Sequence, residues 1–165
     1  MLDTLLHNLD FDLERVADII DPILTARQHC QASGLYIQGI VAHDRGFLSR
    51  NLSHPQTIQV TRCGTRWLVG HSPRCAISVA AAGMAEYHAA LAFDPEHGFS
   101  LTSLTRECET WVNRQPLISA RRHYLEDGDL IELGTFRFEF FLEQSAPLAE
   151  AEPISLSHIP VWRPS

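Results

Sequence analysis

Residues 125–134 read Leu-Glu-Asp-Gly-Asp-Leu-Ile-Glu-Leu-Gly, and this stretch decides the fold. Its Glu-Asp-Gly-Asp segment consists of residue types that accept tight or positive-φ turn geometry. The stretch that follows, 135–142, reads Thr-Phe-Arg-Phe-Glu-Phe-Phe-Leu, and its phenylalanines alternate with Arg137 and Glu139. Such alternation is typical of a strand with one face on a core. We therefore predict β-structure from 125 to 142, with a core-facing last strand.

Short β-rich runs bounded by turn residues recur from Thr57 onward. They lie at 57–62, 66–69, 76–79, 88–93, 99–104, 109–112 and 123–125. Many short strands with regular turns indicate an all-β sandwich or barrel.

Four segments of this region resemble the forkhead-associated (FHA) domain. Residues 67–77 look like the family's strand ending in Gly-Arg with its Ser-Pro-x-Cys-x-Ile continuation, and residues 84–91 are similar to its Val-Ser-Arg-x-His-Ala segment. Residues 125–134 match its Leu-x-Asp-Gly-Asp-x-Ile-x-Leu-Gly signature, and 104–113 fall where it has Leu-x-Ser-x-Asn-Gly-Thr-x-Val-Asn. The resemblance implies a mainly β fold, an FHA-type sandwich of about 10–11 strands at 57–143 with an N-terminal α-helical extension.

The resemblance also implies a ligand-binding or partner-binding surface at the apical loops. The family reads phosphothreonine with the Arg of Gly-Arg, the Ser and Arg before its His, and the Ser and Asn of Ser-x-Asn-Gly. The corresponding positions here, together with a nearby loop arginine, are His71, Arg74, Ala85, Glu86, Arg106 and Cys108. The family's positions that support the fold correspond to Gly70, His88, Asn113, Asp127, Gly128 and Asp129.

The replacements at these loop positions weaken phosphate recognition. A guanidinium offers paired, charge-assisted hydrogen bonds, whereas the imidazole of His71 offers at most one. Ala85 has no hydroxyl, Cys108 cannot replace an amide, and Glu86 would repel a dianionic phosphate. If each lost bond costs ~1.5 to 3 kcal/mol, ordinary phosphothreonine binding becomes immeasurable. The prediction is a protein–protein interaction module, a scaffold, adaptor or regulatory subunit in signalling, that binds largely independently of phosphorylation.

Two alternative functions stay open from the sequence. The first is a phosphothreonine-peptide reader whose pocket is rebuilt from Arg74, Arg106 and protonated His71. The second is a cysteine-dependent enzyme, with Cys108 or Cys75 as nucleophile beside a histidine such as His71 or His88. A nucleophilic cysteine needs a depressed pKa and an oriented base.

The glutamates on either side of Cys108, Glu107 and Glu109, would raise the pKa of its thiol, although Arg106 opposes them. We therefore expect a non-catalytic protein with no catalytic residues.

The segment 1–34 is predicted to be helical, because its apolar residues follow a three-and-four spacing. The pair Asp21-Pro22 predicts a break in the helical segment, with Asp21 as the N-cap of the helix that follows. Gly34 predicts the end of the helical segment. The apolar face has two interpretations: it covers the following domain, or it forms a homodimer. Residues 35–56 are predicted to be a connector, and 144–165 an extended C-terminal tail that either packs back or docks elsewhere.

Composition excludes several classes of function. The formal net charge is −7 and the pI is about 5.6, which gives no general attraction to nucleic acid. No signal peptide or membrane span is recognisable, so a cytoplasmic location is expected. Four dispersed cysteines and nine histidines lack zinc or redox spacing, and no nucleotide-binding loop is found, so we expect no metal and no cofactor. The expected partner is another protein.

Overall fold

Two β-sheets packed face to face form the body of residues 1–143, the part of the chain that this computed structural model describes. Sheet 1 has seven strands in the order β3-β2-β1-β12-β11-β8-β9, and sheet 2 has five in the order β10-β7-β6-β4-β5. The strands are β1 Tyr36–Ala42, β2 Arg45–Arg50, β3 Gln59–Val60, β4 Arg66–Gly70, β5 Ile77–Ser78, β6 Ala89–Asp94, β7 Gly98–Ser103, β8 Thr110–Val112, β9 Gln115–Pro116, β10 Arg122–Tyr124, β11 Asp129–Leu133 and β12 Phe136–Leu142. The predicted mainly β sandwich is confirmed, with twelve strands instead of about 10–11.

The main core lies between the two sheets. Its fully buried members include Ile37, Leu91, Leu101, Ile131, Phe138 and Phe140. β12 pairs antiparallel with β11 and buries its alternate phenylalanines there, as the last-strand pattern predicts.

The connector predicted at 35–56 differs from the structure, because two strands of sheet 1 form there. β1 pairs in parallel with β12 and antiparallel with β2, so the sandwich begins at Tyr36 and not at Thr57. Six of the seven residues of β1 are buried, including the polar Gln38, so the strand lacks the alternation of buried and exposed residues that marks a half-exposed strand. In β2, polar Arg45 and Arg50 flank the buried residues, so the segment resembles a loop in sequence.

Helices α1 (Leu2–Asn8) and α2 (Leu13–Thr25), followed by a 3-10 helix (Ala26–His29), cover the outer face of sheet 1. A second core forms between them and the first two strands, from Leu5, Leu9, Val16, Ile19, Ile23, Ile40, Ala42 and Phe47. The apolar stripe of the helices therefore covers the sandwich, as the first of the two predicted interpretations has it.

The predicted helix break at Asp21-Pro22 is wrong, because α2 runs through Pro22. Ile19 and Ile23 are fully buried on either side of it, and this burial offsets the hydrogen bond that a proline nitrogen cannot donate. The helical segment bends earlier, where Asp10 and Phe11 have positive φ, and Asp12 caps α2 by accepting the backbone N–H of Arg15 at 3.0 Å. The helical segment ends at His29, before the predicted stop at Gly34.

Across 1–143, the helices are all too short or too polar to cross a membrane. The C-terminal tail predicted at 144–165 lies outside the described residues.

Candidate ligand-binding loops

Four loops meet at one end of the sandwich, at 71–76, 79–88, 104–109 and 117–121, and we call them the apical loops. Backbone hydrogen bonds join them: the N–H of His71 donates to the carbonyl of Ala85 at 3.0 Å, and that of Leu104 donates to the carbonyl of His88 at 2.9 Å. The N–H of Ala120 donates to the carbonyl of Ser103 at 2.8 Å. The loops that carry the predicted site residues are therefore held as one surface.

Gly70, the last residue of β4, brings the first two apical loops together. A Cβ on Gly70 would lie 2.2 Å from the carbonyl oxygen of Glu86, a distance that real Cβ atoms do not reach. Only glycine allows β4 to pass this close to the backbone of Ala85 and Glu86. The glycine thus places His71 directly beside Ala85.

His88 bridges two apical loops from a fully buried position. The backbone N–H of Ala85 donates to its Nδ1 at 3.1 Å, so the proton of the neutral ring is on Nε2. Nε2 faces the carbonyl of Glu109 at 3.2 Å and Oγ1 of Thr110 at 3.1 Å. Burial lowers the pKa of His88, and the Glu109 carbonyl opposes that shift only in part. His88 is therefore a neutral brace between the loops.

The other residues expected to support the fold lie at the opposite end. Asn113 starts a hairpin turn with φ of 50°, and its side chain donates to Oδ1 of Asp129 at 2.7 Å and accepts the N–H of Leu130 at 2.9 Å. Asp127 accepts the N–H of Leu142 at 2.8 Å, while Gly128 supplies the positive φ of the turn. These groups fix two turns together and are remote from the apical loops.

The six predicted binding positions all reach solvent at the apical loops. His71, Arg74, Glu86 and Arg106 are exposed, and Ala85 and Cys108 are partly exposed. Within residues 1–143, the side chains of His71, Arg74 and Arg106 make no hydrogen bond or ion pair, although the backbone N–H of Arg74 donates to Oγ of Ser72 at 3.2 Å. The structure therefore shows no fixed cationic pocket made from these three side chains.

Arg106 and Cys108 instead line a groove of about 640 Å³, which we call the apical groove. It is formed by residues 105–111 and 116–119, and neither His71 nor Arg74 lines it. Its apolar wall consists of Trp111, Pro116, Leu117 and Ile118, and Ile118 is 65% exposed. The sequence did not predict this groove, although the apolar run Pro-Leu-Ile at 116–118, directly after the hairpin turn, indicates an apolar surface.

The cysteines do not form a nucleophile–base pair. Cys75 is 7% exposed, its thiol donates to the carbonyl of Glu86 at 3.4 Å, and burial raises the pKa of that thiol. Both ring nitrogens of His88 are already occupied by other groups. In the described part of the chain, no histidine is hydrogen-bonded to the thiol of Cys108 or Cys75.

A comparison with known families identifies the central part of the chain. Residues 67–134 match the family model described as FHA domain. Residues 67–134 are an FHA domain. FHA domains are protein-interaction modules that generally bind phosphopeptides and are typically non-catalytic.

Solved FHA domains resemble this one in fold. One from Arabidopsis thaliana has 22% identity and a TM-score of 0.46, covering 55% of this chain and 79% of its own. A domain from a study of phosphothreonine-dependent FHA interactions has 22% identity and a TM-score of 0.43, with coverage of 50% and 80%.

The N-terminal FHA domain from S. cerevisiae Rad53p, bound to a phosphothreonine peptide, has 21% identity and a TM-score of 0.37, with coverage of 40% and 53%. No curated protein gives a significant match.

Proposed function

We propose that this FHA domain is a non-catalytic scaffold or adaptor that binds a partner protein through its apical loops without requiring a phosphorylated threonine. The observation that carries the proposal is the set of side chains beside Gly70 and His88. The close approach at Gly70 and the hydrogen bonds of His88 hold the loop backbone in place. Ala85 and Cys108, however, lack the hydroxyl and amide donors that a phosphate needs, and Glu86 adds an exposed carboxylate.

The charge of the apical loops supports the same conclusion. The four loops contain three arginines and three glutamates, so they have no net positive charge to attract a dianion. These residues are Arg74, Arg106, Arg121, Glu86, Glu107 and Glu109. The whole chain is also acidic, with a formal net charge of −7. A phosphate would gain no attraction from the net charge of the loops and would be repelled by the whole chain at longer range.

The apical groove offers a different kind of contact. Trp111 has its Nε1–H directed to Oε2 of Glu109 at 3.3 Å, and this hydrogen bond holds the indole at the groove wall. Tryptophan and arginine are enriched among the residues that dominate protein–protein interfaces. An exposed Ile118 next to Trp111 gives the groove an apolar contact for a partner side chain.

Affinity purification of the full chain from its native cells, with and without phosphatase treatment, tests the proposal. We expect partners to be retained after dephosphorylation and to be lost on Ile118→Asp. Leu13→Asp is the matched control, because Leu13 is equally apolar and 71% exposed but lies on α2, away from the groove. Partners that disappear after phosphatase treatment would contradict the proposal.

A second candidate is a phosphothreonine reader with a rebuilt pocket. It is favoured by the exposure of His71, Arg74 and Arg106 on one surface. A phosphothreonine peptide array would show sequence-dependent binding that Arg106→Ala abolishes. As a positive control, a His71→Arg, Ala85→Ser, Cys108→Asn variant restores the family's donors at three positions and shows whether the scaffold still supports phosphate binding.

A further inference from the structure

A cleft of about 620 Å³ lies beside β12, beneath α2 and the 3-10 helix, and reaches the turn at Asp127 and Gly128. We call it the basal cleft. It is at the end of the sandwich away from the apical loops, so the proposed function does not use it. Its floor is formed by Glu139 and Gln38, which stand on the outer face of sheet 1.

Glu139 carries a buried carboxylate without a cationic partner. The side chain is 6% exposed and accepts the backbone N–H groups of Gln31 at 3.0 Å and Ala32 at 3.3 Å. No arginine or histidine forms an ion pair with it within residues 1–143. Burial, and then the charge of Glu139, raise the pKa of the nearby Cys30 thiol to about 12. The backbone N–H groups reach both carboxylate oxygens and offset part of the cost of burying this charge, and a positive group would offset more of it.

Gln38 adds an unsatisfied acceptor to the same floor. It is 4% exposed, and its Nε2 donates to the carbonyl of Pro22 at 3.4 Å, which identifies the oxygen end of the amide. Its Oε1 has no hydrogen-bond partner among the described residues. Buried acceptors are nearly always paired with protein or water, so this oxygen is an acceptor available to a hydrogen-bond donor that enters the cleft.

The rim of the basal cleft is also acidic. Asp21 from α2 and Asp127 from the turn both line it and are exposed. His29 is the lining group that can become cationic on protonation, while the neighbouring Arg27 does not line the cleft. Within 1–143, no group of three or more His, Cys, Asp or Glu side chains is placed to hold a metal ion. An organic cation therefore suits the cleft better than a metal.

We propose that the basal cleft binds the guanidinium group of an arginine side chain from a partner protein. A guanidinium offers five N–H donors in a planar fork, enough to reach both the Glu139 carboxylate and Gln38 Oε1, and it is weakly hydrated and so enters a buried site readily. Phe141 and Pro22 line the cleft and provide apolar contact for the aliphatic stem. The net charge of −7 favours the approach of a basic segment.

An NMR titration of the ¹⁵N-labelled full chain tests this assignment with the peptide acetyl-Gly-Arg-Gly-amide. The matched probe replaces arginine with citrulline, which has nearly the same shape and no charge. We expect saturable shifts at the amides of Gln31 and Ala32 and at the side-chain amide of Gln38, with the citrulline peptide binding at least about tenfold more weakly.

Rim variants provide an independent check that does not disturb the buried floor. Asp21→Asn combined with Asp127→Asn should weaken arginine-peptide binding at least about fivefold. Asparagine at 127 keeps an oxygen for the N–H of Leu142, so the turn is preserved. The matched control is Asp18→Asn, an exposed change on the same helix outside the cleft, which should alter binding less than about twofold.

Several results would overturn the proposal. They are an absence of shifts at Gln31 and Ala32 up to about 10 mM peptide, equal binding of the citrulline peptide, or no effect of the double rim variant. A lysine peptide that binds as tightly would overturn the assignment to a guanidinium. Binding that appears only in an Arg163→Gln variant would mean that this chain's own arginine is the occupant and would overturn the assignment to a partner.

Discussion

Lowering the pH below about 6.5 should destabilise this protein through His88. Burial lowers the pKa of His88 in the folded state, whereas in the unfolded chain it titrates near the ordinary value. Between the two values the unfolded state binds the extra proton, so the free energy of unfolding falls as the pH falls. The slope reaches about 1.4 kcal/mol per pH unit for one histidine, and the loss stops below the folded-state pKa. Protonation would also place a hydrogen on Nδ1 against the N–H of Ala85.

Urea denaturation at pH 7.5 and pH 5.5, on wild type and on His88→Asn, measures this contribution. Asparagine keeps an acceptor near the Nδ1 position but loses the bond to Glu109 and Thr110, so the variant should be less stable at pH 7.5 by about 1–3 kcal/mol. When the pH is lowered from 7.5 to 5.5, the free energy of unfolding should fall in both proteins, and the fall should be smaller in the variant by up to about 1.4 kcal/mol. The reasoning is refuted if the two proteins show the same pH dependence, or if wild type becomes more stable below pH 6.5.

Three further predictions concern the residues that support the loops and turns. Gly70→Ala should lower the free energy of unfolding by about 1–3 kcal/mol, because its Cβ would overlap the carbonyl of Glu86; urea midpoints that match wild type would contradict this. Asn113→Ala removes two hydrogen bonds to the neighbouring turn and should cost about 1–3 kcal/mol in thermal or urea unfolding, whereas Arg114→Ala on the same turn should cost little. The Cys75 thiol should react with iodoacetamide at neutral pH much more slowly in the folded than in the unfolded chain, as followed by mass spectrometry; fast labelling in the folded state would reopen the enzymatic hypothesis.

The sequence predicted the sandwich from local turn chemistry and alternation. The turn at 126–129 and the alternating β12 are encoded by neighbouring residues, so both are confirmed. The run at 35–41 is β-like in sequence and contains most of β1, but the burial of β1 and β2 depends on strands and helices distant in sequence, so local pattern alone assigns both to a connector.

Other errors have the same physical origin. Glu139 stands on the face of β12 that alternation marks as polar, yet it is buried because the N-terminal segment covers that face. Pro22 predicts a break in the helix, but the burial of Ile19 and Ile23 on either side of it outweighs the unfavourable helix propensity of proline. At the apical loops, the chemistry of each replaced side chain is evident from the sequence, whereas the apical groove depends on how two segments, 105–111 and 116–119, meet in the fold.

Because β1 pairs in parallel with β12, the last strand of the sandwich, β1 cannot complete its pairing until most of the chain has been synthesised. Tyr36 lies opposite Glu139, so the central pair of sheet 1 closes only after on the order of 100 further residues have left the ribosome. At roughly 5–20 residues per second, the nascent helices and β1 wait for about 5–20 s without their last neighbour. During that interval Ile37 and the unpaired edge of β1 are exposed to chaperones and to aggregation.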